Sequence, residues 1–164
     1  MFSLRELNHV MRMDYPKNKI VRWHPGHMEL IHFNEFDKDN FLRHPQNLDN
    51  FYRYAETGLA FTALSDGIIY AMFGLWQKWK GVSEAWVIPS NKINKKTIAF
   101  HRGVLRFFEH YAYKTGTKRI QVTVNSLNVQ AEKYIERCYF KKEAEMKYYG
   151  LNGETYFLYS RFFL

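Results

Sequence analysis

Hydrophobic positions along the chain change period several times, and each change marks the border of an element. Residues 19–23 form a short apolar-rich segment ended by Pro25 and Gly26, which reads as a first strand. From residue 27 to 54 the apolar side chains Met28, Leu30, Ile31, Phe33, Phe36, Phe41 and Leu42 fall in short helical groupings, with a break at Pro45. Residues 59–64 and 68–76 read as two strands. The Ser65-Asp66-Gly67 between them is a hairpin signal, because Asp-Gly tolerates the positive φ of a tight turn. Residues 85–88 continue the sheet as a fourth strand.

The period then shifts to that of a long helix over residues 97–114. His101, Val104, Leu105, Phe108, Tyr111 and Ala112 share one side of it, while Arg102, Arg106 and Lys114 lean away. Gly116 follows where a helix ends on a left-handed residue. Ile120, Val122 and Val124 alternate as a buried strand does, and Asn125 or Ser126 is placed to cap a further helix with Val129, Tyr134, Ile135 and Cys138 on its apolar face. Residues 140–149, the turn Gly150-Leu151-Asn152-Gly153 and residues 156–163 close the chain as an antiparallel hairpin. The predicted order is strand, helices, three strands, helix, strand, helix, two strands. No repeat, low-complexity tract or Ser/Gly/Pro-rich linker interrupts it, so residues 1–164 read as one domain.

Composition narrows the partners more than the fold. A hydrophobic share of 46% and an aromatic share of 18% supply enough apolar surface to offset the entropy of ordering the chain. The formal charge of +8 favours an anionic partner, whether nucleic acid, a nucleotide cofactor or an acidic protein. Cys138 is the single cysteine, which excludes an intramolecular disulfide and a thiolate-rich metal site and fits a reducing compartment. No apolar run approaches the ~18 residues of a membrane span, and residues 1–19 lack a signal-peptide apolar block, so the expected location is cytoplasmic. His24 and His27 read as turn residues rather than metal ligands, since no cysteine or spaced carboxylate pair accompanies them. There is no Gly-x-Ser-x-Gly elbow, Walker loop or Gly-rich dinucleotide fingerprint, and the aromatic and basic run Trp76-Gln77-Lys78-Trp79-Lys80 reads as a strand end and turn.

Between residues 83 and 140 a strand, a lysine-rich loop, a long helix, a second strand and a second helix follow one another. A helix N-terminus carries unpaired N–H groups and partial positive charge, so a loop opening a helix beside a strand end suits a phosphate-bearing ligand. Lys92, Lys95 and Lys96 stand in that loop, Thr97 opens the helix, and Arg102 lies in its first turns. The alternative for the same residues is a solvated basic surface.

This order, together with Ala-Trp-Val-Ile-Pro-Ser at residues 85–90 and the helix Asn128-Val-Gln-Ala131…Glu136-Arg137-Cys-Tyr-Phe140, resembles the GNAT superfamily of CoA-dependent N-acyltransferases. Within it, the Trp86-centred strand and the Phe100-His101-Arg102 helix are most similar to small GNAT-like proteins of tailed phages. The resemblance implies an α/β fold with a mixed, mostly antiparallel sheet flanked by helices, and transfer of an acetyl or other acyl group from acyl-CoA to an amine. Glu84 would take the amine proton, its other reading being a strand-end carboxylate near Lys80. The N–H groups of Val87 and Ile88 would polarise the thioester carbonyl. Lys92, Lys95, Lys96, Thr97, Arg102 and Asn128 would hold the cofactor, and Tyr134 would protonate the leaving thiolate.

Three departures stand beside these matches. The loop from Asn91 to Thr97 has no glycine, so phosphate binding would rest on mobile lysine charge more than on a close backbone nest. Ile135 occupies the position of the family's usual tyrosine, with Tyr134 one residue earlier and so about 100° around the helix. Tyr139 replaces the glycine of the family's Gly-Phe pair. These departures keep open a non-catalytic protein of the same fold, for example an internal virion component in a phage, and charge keeps open a nucleic-acid-modifying enzyme. The amine acceptor is unspecified; nucleic acid or virion proteins are the partners under the other readings, and an oligomer is open under all of them.

Overall fold

A computed structural model describes residues 2–93 and 96–164. The elements are α1 (Leu4–Val10), β1 (Asn18–Arg22), α2 (His27–Leu30), α3 (Glu35–Arg43), α4 (Pro45–Thr57), β2 (Leu59–Ser65), β3 (Ile68–Trp79), β4 (Val82–Pro89), α5 (Thr97–Thr115), β5 (Arg119–Asn125), α6 (Val129–Arg137), β6 (Lys141–Met146) and β7 (Tyr156–Phe162). This is the expected order with α1 added in front. Asp66 and Gly67 take φ values of 50° and 78° in the β2–β3 hairpin, and Gly116 ends α5 at φ 67°, as the sequence signals require. Pro45 opens α4 at its first position, where a missing N–H costs no helical bond.

The helix α1 has a local cause that periodicity over so short a stretch does not reveal. Ser3 Oγ accepts from the Glu6 N–H at 3.1 Å, and the Glu6 carboxylate accepts from the Ser3 N–H at 3.4 Å, a reciprocal capping box. Glu6 also accepts from Lys114 Nζ at 2.7 Å and meets His110 Nε2 at 2.7 Å, which ties α1 to α5. The Lys114 ammonium, followed by His110, holds the Glu6 carboxyl down at about 2.

The seven strands form one sheet in the order β1-β2-β3-β4-β5-β7-β6. Every neighbouring pair is antiparallel except β4 with β5, which α5 connects as a parallel crossover. The terminal hairpin forms as expected, but its second strand β7 lies inside, between β5 and β6, which leaves the highly charged β6 at the edge.

Strand alternation sends side chains into two cores, one on each face. On one face α1, α5 and α6 cover a cluster centred on Phe107, which is 0% exposed and lies 5.6–6.4 Å, centroid to centroid, from the rings of Phe2, Phe61, Phe73, Phe108 and Tyr111. The expected inner side of α5 is corrected here: Phe100 and Phe107 are its most enclosed residues, while His101 and Leu105 sit at the rim. The buried arc is wide because α5 packs on the sheet through Phe100 and Phe107 and also touches α1 and, through His101 and Tyr134, α6. On α6 the exposed Val129 lies off the expected apolar face.

On the other face α2 and α4 cover Met28, Phe51, Ile69, Met72 and Ile88, with Trp86 edge-on to Phe51 at 4.6 Å. Gly74 permits this packing, because a Cβ there would lie 2.1 Å from the Leu59 carbonyl oxygen and 2.6 Å from the Trp86 ring. Among the described residues, no helix is long and apolar enough to cross a membrane.

Candidate functional site

The site begins where two paired strands part. β4 and β5 pair at Val82↔Arg119, Ser83↔Ile120 and Glu84↔Gln121, and the pairing stops there although β4 runs to Pro89 and β5 to Asn125. Backbone polar groups alternate sides along a strand. The Gly81 carbonyl accepts from the Arg119 N–H at 3.1 Å, and the Ser90 N–H donates to the Tyr70 carbonyl at 3.0 Å. Odd-numbered residues of β4 therefore face β5, and even-numbered residues face β3. The Ala85 N–H belongs to the last rung, so beyond it the Ala85 C=O and the N–H and C=O of Val87 are presented to the opening, and Pro89 has no N–H to present. On β5 the Ser126 N–H donates to the Thr155 carbonyl on the β7 side, which puts even-numbered residues towards β7 and leaves Thr123 and Asn125 facing the opening. Backbone groups so placed need a partner from ligand or water.

This phase corrects one expectation. The Val87 N–H faces the gap, but the Ile88 N–H is turned to β3, opposite Met72.

At the open end of β4 the chain makes a tight loop into α5. Ser90 Oγ accepts from the Lys92 N–H at 3.1 Å, the Lys96 N–H donates to the Ile93 carbonyl at 2.7 Å, and Thr97 Oγ1 donates to the same carbonyl at 3.1 Å. Lys92 is exposed, Lys96 half-buried, and Lys95 lies outside the described residues. Among the described residues no side chain caps α5, so its first-turn N–H groups and its dipole face this loop. Arg102 is exposed further along α5.

Across from α5 stands α6. Its cap is Asn128, whose side-chain oxygen accepts from the Ala131 N–H at 3.1 Å, and not Asn125 or Ser126. Asn125 instead accepts from the Leu127 N–H at 3.0 Å in the preceding turn. The Asn128 oxygen thus has a structural role.

Ile135 is buried in the core at 6% exposure. Tyr134 is half-buried against the same core, with its ring edge-on to His101 at 5.8 Å. Its hydroxyl is buried and has no hydrogen-bond partner among the described residues. Burial, reinforced by the Cys138 thiol, drives its pKa far above the ordinary phenol value, so it stays protonated. Tyr139 takes φ 67°, the left-handed conformation that favours glycine.

Glu84 lies on the other face, at the last β4–β5 rung. Its Oε2 accepts from Lys78 Nζ at 3.0 Å and from Gln121 Nε2 at 3.2 Å, and its side chain is only 13% exposed. The expected neighbour Lys80 is not the partner; Lys78 is, because β3 runs on to Trp79 and places Trp76 opposite Glu84. Lys78 Nζ also sits 4.9 Å from the Trp76 ring centroid, and Trp76 packs against Tyr54 of α4 at 4.9 Å.

Tyr149, its ring tilted at 60° against Tyr156 with centroids 5.4 Å apart, approaches this group from the β6–β7 loop. Burial first, then the negative charge of Glu84, raise its phenol pKa. The loop is fastened to the start of α4 by the buried His44, whose Nε2 is 3.1 Å from Asn152 Nδ2 and 3.4 Å from Glu154 Oε1. Tyr54, Lys78 and Tyr149 join Glu84 through tertiary structure, which residue spacing does not signal. His24 and His27 do act as turn residues: Nδ1 of His27 accepts from the His24 N–H, and Nδ1 of His24 from the Gly26 N–H, each at 3.1 Å.

No protein-family model matches this sequence, and no curated protein is significantly similar to it. Solved structures are similar in fold. An IAA acetyltransferase from Bacillus cereus superposes with a TM-score of 0.68 at 15% identity, covering 89% of this chain and 99% of that one. A Bacillus subtilis acetyltransferase in complex with CoA gives 0.67 at 14% identity, covering 90% and 99%. A ribosomal-protein-S5-alanine acetyltransferase from Vibrio fischeri gives 0.61 at 14% identity, covering 92% and 95%. With its parted parallel pair and mixed seven-stranded sheet flanked by helices, the chain has the GNAT acyl-CoA N-acyltransferase fold.

Proposed function

We propose that this protein transfers an acyl group, most simply acetyl, from acyl-CoA to an amine. The observation that carries this reading is the opening beyond Glu84 and Gln121, where among the described residues the Val87 N–H and the Thr123 backbone on the β4 side have no strand partner. An amide-containing arm fits between two such strand edges, and a diphosphate fits the N-terminal end of α5 with Lys92 and Lys96 beside it. When bound, acyl-CoA supplies an activated carbonyl with a thiolate leaving group. The chain's own groups do the rest. The Val87 N–H stabilises negative charge on the carbonyl oxygen. Glu84, directly or through a water, takes a proton from the acceptor ammonium. Tyr134 brings a protonated hydroxyl with no geometric hydrogen-bond partner among the described residues, a donor suited to a sulfur.

A second reading, a non-catalytic protein of the same fold, has the glycine-free loop in its favour. One measurement separates the two. Acetyl-CoA at about 100 times its dissociation constant should stabilise the native state by about 2.7 kcal/mol and raise the melting temperature by several degrees. An unchanged melting temperature at millimolar acetyl-CoA would leave the non-catalytic reading standing.

A further inference from the structure

The acceptor side of the parted strands already holds a primary amine that belongs to the chain. Lys78 is on β3 and Glu84 on β4, and their side chains meet on the face that α4 covers, at the rung where β4 and β5 separate. Lys78 Nζ is 3.0 Å from Glu84 Oε2, its side chain is 26% exposed, and its ammonium rests 4.9 Å from the centroid of Trp76. A lysine that served only solubility would extend into water; this one is held by a carboxylate and an aromatic face beside the opening. The transfer chemistry proposed above asks for an acceptor amine in contact with Glu84. Lys78 meets that requirement without any partner molecule.

We propose that Lys78 is a site of self-acylation, an inference that rests on the acyl-transfer reading. The Lys78 ammonium gives one proton to Glu84. The freed lone pair on Nζ forms a bond to the acyl carbon as the carbon–sulfur bond breaks, the sulfur leaves as a thiolate, and the thiolate takes up the proton that Glu84 accepted, relayed through solvent, which returns Glu84 to the carboxylate. The second amine proton passes to solvent as the amide forms. Acyl-CoA and Lys78 thus become CoA thiol, an N-acyl-lysine and one proton, with no oxidation or reduction. The product amide carries no charge, so the ion pair with Glu84 and the cation–π contact with Trp76 are both lost, and Glu84 keeps only its neutral bond from Gln121. Self-acylation therefore frees the candidate base for an external amine and converts a self-occupied acceptor site into an open one.

The test is incubation of the full chain with acetyl-CoA in the absence of any other amine. Added acetyl groups are located by peptide mass mapping, and the melting temperature is recorded in parallel. The expected result is one acetyl group at Lys78, none at that position in Lys78→Arg, which keeps the ion pair but cannot be acylated in this way, and labelling about 100-fold slower in Glu84→Gln. A raised melting temperature with Lys78 unmodified, or with label spread evenly over exposed lysines such as Lys80 and Lys118, overturns self-acylation and leaves the transfer reading intact. Equal labelling rates in the parent and Glu84→Gln overturn the proton route described. A melting temperature that acetyl-CoA does not move, with no label, removes the transfer reading and this inference with it.

Discussion

Phe107→Ala should destabilise the protein by about 3–5 kcal/mol, the range for truncating a fully enclosed phenylalanine. The ring is 0% exposed, and the surrounding rings come from Phe2 ahead of α1 and from β2, β3 and α5, so no single element can move in to fill the space. The cost therefore includes a cavity as well as lost transfer energy. For a chain of this length that corresponds to a fall in melting temperature on the order of 10 °C. Denaturant titration should show a lower midpoint with an unchanged slope, because the surface exposed on unfolding is nearly the same. Phe107→Leu keeps most of the volume and should cost about half as much. A loss below about 1 kcal/mol for Phe107→Ala would mean that α5 is not anchored through this residue.

Glu84→Gln should lower turnover by about 10²–10⁴-fold, the range for removing a general base, while the acetyl-CoA-induced rise in melting temperature is kept. The substitution retains the shape and leaves the strand rung at Gln121 in place. It removes only the carboxylate that accepts from Lys78 and Gln121. Its stability cost should be small, since a partly exposed ion pair contributes ~1 kcal/mol or less. A base role also predicts that the acid limb of the pH–rate profile disappears in the variant. If turnover is unchanged, Glu84 is an ion-pair partner of Lys78 and nothing more.

What was legible in the sequence was mostly local. The Asp66-Gly67 hairpin, the left-handed Gly116 and the alternation of Ile120, Val122 and Val124 each depend on a few adjacent residues, and each formed where expected. The GNAT element order followed from them. The parting of β4 from β5 was not legible, because element order does not record where a ladder stops. Nor was the phase that turns Val87 to the gap and Ile88 away, which is set by bonds at Gly81 and Ser90 with distant partners.

Lys78 was overlooked for a related reason. A strand ended at Trp76 leaves Lys78 in a turn, whereas a strand carried to Trp79 places Trp76 and Lys78 on one face beside Glu84. The cap of α6 slipped by two or three residues because Asn125, Ser126 and Asn128 can all cap, and only the turn made by Asn125 decides among them. The opposite case is α1, whose Ser3-x-x-Glu6 capping signal is present in the sequence and is sufficient to start a short helix.

The central claim is that acyl-CoA occupies the gap between β4 and β5 with its diphosphate at the start of α5. Residue-resolved amide hydrogen exchange, with and without saturating acetyl-CoA, tests it most directly. Exchange at Val87 and in the first turn of α5 should slow by about tenfold or more on binding, while Ile88, already turned to β3, changes little. Protection confined to other surfaces, or no change along β4 and α5 at millimolar acetyl-CoA, would contradict it.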